Sequence, residues 1–291
     1  PLTKFILATI KMKGIIRKFG ADIVIGTGGY VCAPAVAAAN IMKIPTLIHE
    51  QNVYPGSAIR FLAKNTTVTA ISFDESRKYF KDAKNIVLTG NPVRASIIKA
   101  DAKKAKERLN PGGKKLVLVV GGSLGAMKIN DVVCDYIKSF RKENVKFIVS
   151  TGKRDYGRVK EMLGGKDKGE NFEIFPYIHD MDAYLAASDL VICRSGAITL
   201  SEICILKKAS ILIPSPNVTH NHQEFNASAL VKNGAAVMIK ESNFDTSELK
   251  KAVDLLLDNN ALRKQYGENA YKMAKKDATK LICESILKFA K

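Results

Sequence analysis

Two glycine-containing turns in the second half of the chain have the composition of anion-binding loops. The apolar run Leu116–Val120 ends at GGSLGA (121–126), and Leu190–Cys193 is followed by RSGA (194–197). Glycine lets a backbone approach a ligand closely, and a helix beginning after such a turn offers free N–H groups and the positive end of its dipole. Ser123 adds a hydroxyl donor. The first turn therefore predicts a phosphate or diphosphate site, although it is neither a Walker A loop nor a strict GxGxxG sequence.

Polar side chains near these turns are further candidates for ligand contacts. Glu202 lies about two turns into the helix predicted after the second turn, where a carboxylate can accept hydrogen bonds from both hydroxyls of a ribose. The polar loop at 214–223 follows another predicted strand, as ligand-lining loops do. Asp180 and Asp182 have the DxD spacing of metal-binding sugar transferases, but they precede a helix and favour N-capping. The His220–His222 sequence lacks the further ligands that a metal site needs.

Polar groups also follow the predicted strands in the first half of the chain. They are GTGGY at 26–30, HEQN at 49–52 and NPVR at 91–94. In open α/β sheets ligands bind outside the carboxyl ends of the strands, so we expect these groups to face a cleft between two domains. In isolation, His49 is equally compatible with a core histidine, and Arg94 with a surface cation.

Short apolar runs alternate with helical patterns, which is the βαβ rhythm of a parallel sheet covered on both faces. Strands are predicted in the first half at 21–25, 45–49, 68–72 and 85–89, with helices near 31–42, 55–64 and 74–80. Strands are predicted in the second half at 116–120, 147–150, 172–175, 190–193, 211–213 and 236–239, and the chain is helical by period from about 246. The predicted fold class is α/β, with two Rossmann-like doubly wound domains.

A basic stretch separates the two halves and suggests the domain limits. We predict a first domain at 1–95, a linker at 96–114, a second domain at 115–270 and a C-terminal helix at 271–291 that packs back on the first domain. The first domain has fewer predicted strands and opens on a helix. A doubly wound domain normally begins with a strand that runs into a glycine-rich loop. We therefore expect the first domain to be truncated by roughly its first βαβαβ portion.

The composition narrows the class of protein. The 291 residues include 46 Lys and Arg against 28 Asp and Glu, and this charge of +18 favours an anionic partner. Aromatic residues make up 7% with no Trp, so base-stacking surfaces are not indicated and no nucleic-acid partner is predicted. Five widely spaced cysteines without a CxxC pattern predict free thiols in a reducing compartment. No apolar run reaches about 18 residues, the length that indicates a transmembrane helix.

Residues 1–20 combine apolar and basic side chains on one predicted helix. Apolar residues recur at a spacing of three or four, and the segment has five Lys or Arg and no acid. Lys11 and Lys13 interrupt the apolar run, so the segment does not match a signal peptide. A basic amphipathic helix favours an anionic membrane surface, although an ordinary packing helix has the same period.

Several motifs, taken in order, resemble the MurG family, the bacterial enzymes that transfer N-acetylglucosamine (GlcNAc) to lipid I in peptidoglycan synthesis. The resemblance covers the whole chain, and its motifs are GTGGYV at 26–31, HEQN at 49–52, GNPVR at 90–94, VVGGSLGA at 119–126, CRSGAITLSE at 193–202 and NHQEFNA at 221–227. It implies the GT-B fold, in which two Rossmann-like domains face each other across a cleft. It also implies an inverting transfer from UDP-GlcNAc to the MurNAc 4-hydroxyl of lipid I, giving lipid II, without a cofactor or a metal.

The resemblance also implies which residues contact the donor. Ser123 would contact the diphosphate, Ile178 and Met181 would border the uracil, and Gln223 would contact the sugar. Diphosphate and ribose contacts would come from Ala197, Ile198, Thr199, Leu200, Ser201 and Glu202, with Glu202 on the ribose hydroxyls. Asn52 and Arg94 would reach the donor from the first domain. That domain would also meet lipid I and the anionic membrane surface, as in a peripheral protein at the cytoplasmic face of the cell membrane.

The catalytic base is the point at which this sequence departs from the family. Family members begin with a strand and a GGTGGH loop, whose histidine is a favoured base candidate, and that loop does not occur in this sequence. His49 is the remaining candidate, since a base must come within hydrogen-bond reach of the acceptor hydroxyl. We expect a chain truncated in this way to bind the donor yet transfer little sugar.

Two other enzyme classes fit the motifs less well. A related lipid-linked UDP-sugar transferase of the diacylglycerol type is the nearest alternative, and the HEQN and GNPVR motifs favour the MurG family over it. A nucleotide-dependent oxidoreductase would require a GxGxxG loop with a downstream acid for the ribose, and neither half opens in that way.

Overall fold

The structure, a computed structural model, describes residues 2–110, 112–122 and 126–290. Within these residues the strands form two parallel sheets, which confirms the predicted α/β class. The chain divides into two compact units. The first runs to Pro92 and takes in the chain from Lys275 onward, and the second is Val93–Ala274.

In the described part of the first unit, a parallel sheet has the strand order β1-β2-β3-β4. A 3-10 helix, Asp74–Tyr79, precedes β4, and the other elements up to that strand are α1 (Leu2–Phe19), β1 (Val24–Gly26), α2 (Gly29–Ile41), β2 (Thr46–Glu50), α3 (Ser57–Ala63), β3 (Val68–Ile71) and β4 (Ile86–Leu88). Successive residues of a strand point to opposite faces. Accordingly Ile48 packs with Val36 and Ile59 on one face of the sheet, whereas Leu47 packs with Val68 on the other.

The described part of the second unit contains a six-stranded parallel sheet with the order β10-β9-β8-β5-β6-β7. Its elements are α4 (Ala95–Ile98), α5 (Ala102–Leu109), β5 (Lys115–Val120), α6 (Met127–Ser139), β6 (Val145–Ser150), α7 (Tyr156–Met162), β7 (Phe172–Phe175), α8 (Met181–Ala187), β8 (Leu190–Cys193), α9 (Ala197–Ile205), β9 (Ala209–Leu212), α10 (His222–Lys232), β10 (Ala236–Met238), α11 (Thr246–Asp258) and α12 (Asn260–Met273). The strand order runs outward from β5 in one direction and from β8 in the other. A doubly wound sheet therefore has its topological switch point between these two strands.

The stretch that we expected to be a linker, 96–114, contains most of α4 and the whole of α5, and it belongs to the second unit. Ile97 of α4 and Ala105 of α5 are buried, and the Asp101 carboxylate caps α5 by accepting hydrogen bonds from two backbone N–H groups. The boundary between the units falls at Pro92, so Arg94 lies in the second unit rather than in the first. Apolar positions in a basic, polar-looking stretch thus supply enough contact to order it.

The chain returns to the first unit after α12. The last helix, α13 (Ala278–Leu287), contributes Ile286 to the apolar face formed by Leu47 and Val68. Gly90 makes this return possible, since its φ is +80° and a Cβ at this position would lie 2.3 Å from Lys275 Cβ. A side chain would therefore prevent the close approach.

Candidate functional site

A pocket of about 720 Å³ in the second unit lies at the carboxyl ends of β5 and β8. These strands are neighbours in the sheet although β6 and β7 separate them in sequence. Ligands of open α/β sheets bind at such a switch point. The walls of the pocket include Gly121, Gly122, Thr199 and Gln223, which come from three of the motifs singled out in the sequence. The fold therefore brings both glycine turns to one concave site.

Backbone donors are available at this pocket. Helix α9 begins at Ala197 with Gly196 as its N-cap residue, and no side chain caps it. The first N–H groups of a helix have no partner within the helix, and Gly196 and Thr199 line the pocket. In the turn after β5, Gly122 has a φ of +92°, a backbone conformation that favours glycine. Ser123, the expected diphosphate ligand, lies outside the described residues.

Among the described residues, two cations line the pocket, Arg194 and Lys128, and neither was predicted from the sequence to be a site residue. The Arg194 guanidinium donates to the carbonyls of Ile213 and Pro214 at 3.2 and 3.3 Å and forms an ion pair with Glu241. It thereby holds the loop after β9 against the turn after β8. The sequence did offer one signal for Arg194 as a site residue, because Arg194 is the first residue of the RSGA turn.

Gln223, at the start of α10, joins the two turns of the pocket wall. Its Oε1 accepts hydrogen bonds from the backbone N–H groups of Ser195 and Ser215 at 3.3 and 2.9 Å. The buried Asn226, one turn further along, donates to the Ser195 carbonyl at 3.1 Å. Because Oε1 already takes two donors, Gln223 can offer a ligand its Nε2 group, which only donates.

Glu202 does not line this pocket, although it lies on α9, the helix that contributes Thr199 to the pocket wall. Its side chain is 11% exposed, and its Oε1 lies 3.5 Å from Nη2 of Arg94. Burial raises the pKa of Glu202, the Arg94 cation opposes this, and the Asp182 carboxylate on α8 adds to the increase. Arg94 and Glu202, which were both predicted from the sequence to contact the donor, therefore lie within ion-pair distance of each other.

The other positions predicted on α9 have different environments. Ala197 and Leu200 are buried, Ile198 is exposed and Thr199 lines the pocket. The Ser201 hydroxyl donates to the Ala197 carbonyl at 2.9 Å. Ala197, the first residue of α9, can therefore offer a ligand only its backbone N–H. Leu200 is fully buried and its N–H donates to the Gly196 carbonyl at 3.0 Å, so a direct contact of Leu200 with the donor has no support in this structure.

The segment between β7 and α8 carries the positions predicted to border uracil. Ile178 is buried and Met181 is the first residue of α8. Asp180 occupies the N-cap position of α8, as expected, but its carboxylate pairs with Arg108 and makes no hydrogen bond to the helix N–H groups. Among the described residues, no group of three or more His, Cys, Asp and Glu side chains is arranged to hold a metal ion.

In the first unit, His49 is buried at the end of β2 and both of its ring nitrogens have partners. Nε2 lies 3.0 Å from the Gly90 carbonyl, and Nδ1 lies 3.0 Å from Nε2 of Gln51. A carbonyl can only accept, so the His49 Nε2 carries the proton and Nδ1 accepts from the Gln51 amide. Burial lowers the pKa of His49, while the Gly90 carbonyl and the Glu50 charge oppose this. This environment favours a structural role over the role of catalytic base.

Asn52, also in the first unit, is engaged by the buried carboxylate of Glu50. Oε1 of Glu50 accepts from the Asn52 backbone N–H at 2.9 Å and from its side-chain Nδ2 at 3.2 Å. Oε2 accepts from the Gly56 N–H at 2.9 Å. The HEQN motif therefore fixes the loop that follows β2, and the predicted contact of Asn52 with the donor stays a prediction.

The chain matches known protein families and relatives over most of its length. The family model described as the glycosyltransferase family 28 C-terminal domain matches residues 116–282, and the N-terminal domain model of the same family matches residues 1–71. The chain is 42% identical over 275 residues to the UDP-N-acetylglucosamine--N-acetylmuramyl-(pentapeptide) pyrophosphoryl-undecaprenol N-acetylglucosamine transferase of Thermoanaerobacter sp. (strain X514), covering 94% of this chain and 75% of that protein. It is 44% identical over 274 residues to the enzyme of the same description from Acetivibrio thermocellus, with 94% and 74% covered.

The crystal structure of Acinetobacter baumannii MurG superimposes on the chain with a TM-score of 0.83 at 27% identity, covering 98% of this chain and 79% of that one. The two parallel-sheet α/β units, together with the matches to both family 28 domain models, place the chain among the GT-B glycosyltransferases. The two relatives described above narrow this class of glycosyltransferases to one family. The chain belongs to the MurG family of N-acetylglucosaminyltransferases, which act in peptidoglycan synthesis.

Proposed function

We propose that the chain transfers GlcNAc from UDP-GlcNAc to the MurNAc 4-hydroxyl of lipid I, and that the second unit binds the donor. The observation that carries the donor assignment is the pocket at the switch point, where two glycine turns and the N-terminus of α9 converge. Helix N-termini and glycine-rich turns are suited to bind a diphosphate.

The diphosphate is placed against Gly121, Gly122 and the N-terminus of α9, with Lys128 as a nearby cation. Negative charge develops on UDP as the sugar leaves, and donors fixed in advance stabilise such charge. These groups supply that stabilisation from the protein itself, so we expect no cofactor and no metal to be required.

The remaining donor contacts follow from the side-chain chemistry. Glu202 accepts hydrogen bonds from the ribose hydroxyls, and Ile178 and Met181 border the uracil. Gln223 donates through Nε2 to an oxygen of the sugar, because its Oε1 is held by the backbone of Ser195 and Ser215. Apolar and amide groups at these positions match a nucleoside and a neutral sugar.

Donor binding is expected to protect the second unit against thermal unfolding. A ligand present at about 100 times its Kd stabilises the folded state by about 2.7 kcal/mol, so UDP and UDP-GlcNAc should raise the unfolding temperature. NAD, which also carries ribose and diphosphate, is the control and should have a much smaller effect. Equal protection by NAD, or none by UDP, would contradict the proposal.

The first unit is proposed to bind lipid I at a membrane surface, as a peripheral protein on the cytoplasmic face. Leu2, Ile6, Leu7 and Ile10 are exposed along α1, which also carries all five basic residues of that segment. Phe61 of α3 is exposed as well and meets Phe5 edge to face. An apolar face with flanking cations suits an anionic lipid surface. No helix in the described residues is both long and apolar enough to cross a membrane.

Membrane binding is expected to depend on this face of α1. Replacing Ile6 by Glu should lower co-sedimentation with vesicles containing anionic lipid by about threefold or more, since burial of an apolar side chain is exchanged for repulsion. Leu255 on α11 of the other unit is the matched control, being 47% exposed against 48% for Ile6. Equal losses for Ile6→Glu and Leu255→Glu, or equal binding of the wild type to neutral vesicles, would argue against the assignment.

The acceptor hydroxyl needs a base, and His49 could take this role only after its hydrogen bonds rearrange. To accept a proton at Nδ1 it would first have to release the Gln51 amide, which lies 3.0 Å away. Its lowered pKa keeps it neutral near pH 7, which is the form a base requires.

A further inference from the structure

Arg194 is a cation on the wall of the proposed donor pocket whose charge is already compensated. Its guanidinium forms an ion pair with Glu241, and both residues line the pocket. We propose that Arg194 and Glu241 are a positioning pair that aligns Gln223 for the donor sugar, and that Arg194 does not bind the diphosphate. The inference rests on the proposed function. All three residues lie in the second unit.

The Arg194 guanidinium joins the segments that follow three neighbouring strands. Arg194 comes directly after β8, and its Nη1 donates to the carbonyls of Ile213 and Pro214 after β9 at 3.2 and 3.3 Å. Its Nη2 pairs with Glu241, the first residue of a short 3-10 helix that follows β10. The strands β8, β9 and β10 are adjacent in the sheet. One side chain therefore fixes the spacing of three segments at the pocket.

The orientation of Gln223 depends on two of these segments. Its Oε1 accepts from the backbone N–H groups of Ser195 and Ser215 at 3.3 and 2.9 Å. These two serines directly follow Arg194 and Pro214 in the chain. If the two segments moved apart, one of these hydrogen bonds would break and the amide could rotate, so Nε2 would no longer be fixed toward the sugar. Arg194 therefore acts on the donor sugar through Gln223.

The pair is better suited to hold the pocket wall than to bind phosphate. The side chains of Arg194 and Glu241 are only 16% and 20% exposed, so salt and solvent screen their attraction weakly. A diphosphate at Arg194 would also meet the Glu241 carboxylate, and like charges repel each other. Lys128 is exposed and forms no ion pair with a described residue, so its charge stays available to the diphosphate.

The affinities for UDP and UDP-GlcNAc, measured by isothermal titration calorimetry, test the role of the pair. Glu241→Gln removes the charge and keeps the shape. We expect its affinity for UDP-GlcNAc to fall at least about threefold while its affinity for UDP changes by less than about twofold, because a fixed hydrogen bond to the sugar is lost. Arg194→Lys keeps the charge but loses the planar fork that reaches three acceptors, so it should show the same pattern. Retained UDP binding also shows that each variant is folded.

The ion pair between Lys146 and Glu173 provides the control. Its side chains are matched in exposure, at 15% and 24%, and Glu173 lies on β7 and does not line the pocket. Glu173→Gln should therefore bind both ligands as the wild type does. Tighter UDP binding by Glu241→Gln, or an equal loss of both ligands in Arg194→Lys, would show that Arg194 meets the diphosphate and would overturn the inference. Unchanged UDP-GlcNAc affinity in Glu241→Gln would overturn it as well. If the wild type binds no UDP, the proposed function itself fails.

Discussion

Replacing Glu202 by alanine is expected to weaken UDP binding by about tenfold or more, because hydrogen bonds to a charged group contribute about 1.5–3 kcal/mol. Glu202 is nearly buried, and its carboxylate is anchored on α9 beside the pocket that holds the glycine turns. The substitution also leaves Arg94 without its carboxylate partner, which adds positive charge but no acceptor for the ribose. The loss should therefore fall on the nucleoside part of the ligand.

Calorimetry with UDP and 2′-deoxy-UDP localises the effect. The wild type should distinguish the two ligands, whereas Glu202→Ala should bind them alike, since the ribose contact is gone from both sides. Glu268, an exposed glutamate paired with Lys207, provides the control, and Glu268→Ala should leave the affinity unchanged. Unchanged UDP affinity in Glu202→Ala would remove the ribose assignment.

Gly267→Ala is expected to lower the free energy of unfolding of the second unit by about 2 kcal/mol, because overpacking costs about 1–3 kcal/mol. Gly267 is a buried residue of α12, and a Cβ there would lie 2.3 Å from the backbone oxygen of Lys207. A backbone carbonyl cannot rotate away as the end of a long side chain can. The helix-propensity gain of about 1 kcal/mol for alanine over glycine is too small to offset the clash.

Gly157 of α7 provides the matched control for this prediction. A Cβ at Gly157 would meet no atom within 4 Å. Gly157→Ala should therefore stabilise the unit by about 0.5–1 kcal/mol through helix propensity alone. Urea unfolding of both variants measures the contrast, and stabilisation by both substitutions would show that α12 can shift away from α9 at little cost.

The strands could be predicted closely from the sequence, since parallel strands are buried on both faces and appear as short apolar runs. The predicted strand at 172–175 matches β7, and that at 190–193 matches β8. The strand predicted at 211–213 begins earlier in the structure, at Ala209, because Ala209 and Ser210 pair with Leu190 and Val191 of β8. Small residues carry little hydrophobic signal, so only the pairing partner reveals them.

Prediction of the site was less complete. Thr199 and Gln223 meet in the pocket, as motifs that follow parallel strands should. Lys128 was missed because a lone basic residue in a basic chain has no distinctive pattern. Arg194 was missed although it is the first residue of the RSGA turn. The linker prediction failed for a related reason, since the buried positions Ile97 and Ala105 are few among many lysines.

What the sequence by itself determined is the alternation of strands and helices, the glycine turns after β5 and β8, and membership of a transferase family. These features depend on residues that are close together in the chain. The tertiary structure alone decided that Arg94 faces Glu202, 108 positions away, and that His49 is engaged by Gly90, 41 positions away. Such pairs depend on which strands become neighbours and where helices pack, so no local pattern of side chains specifies them.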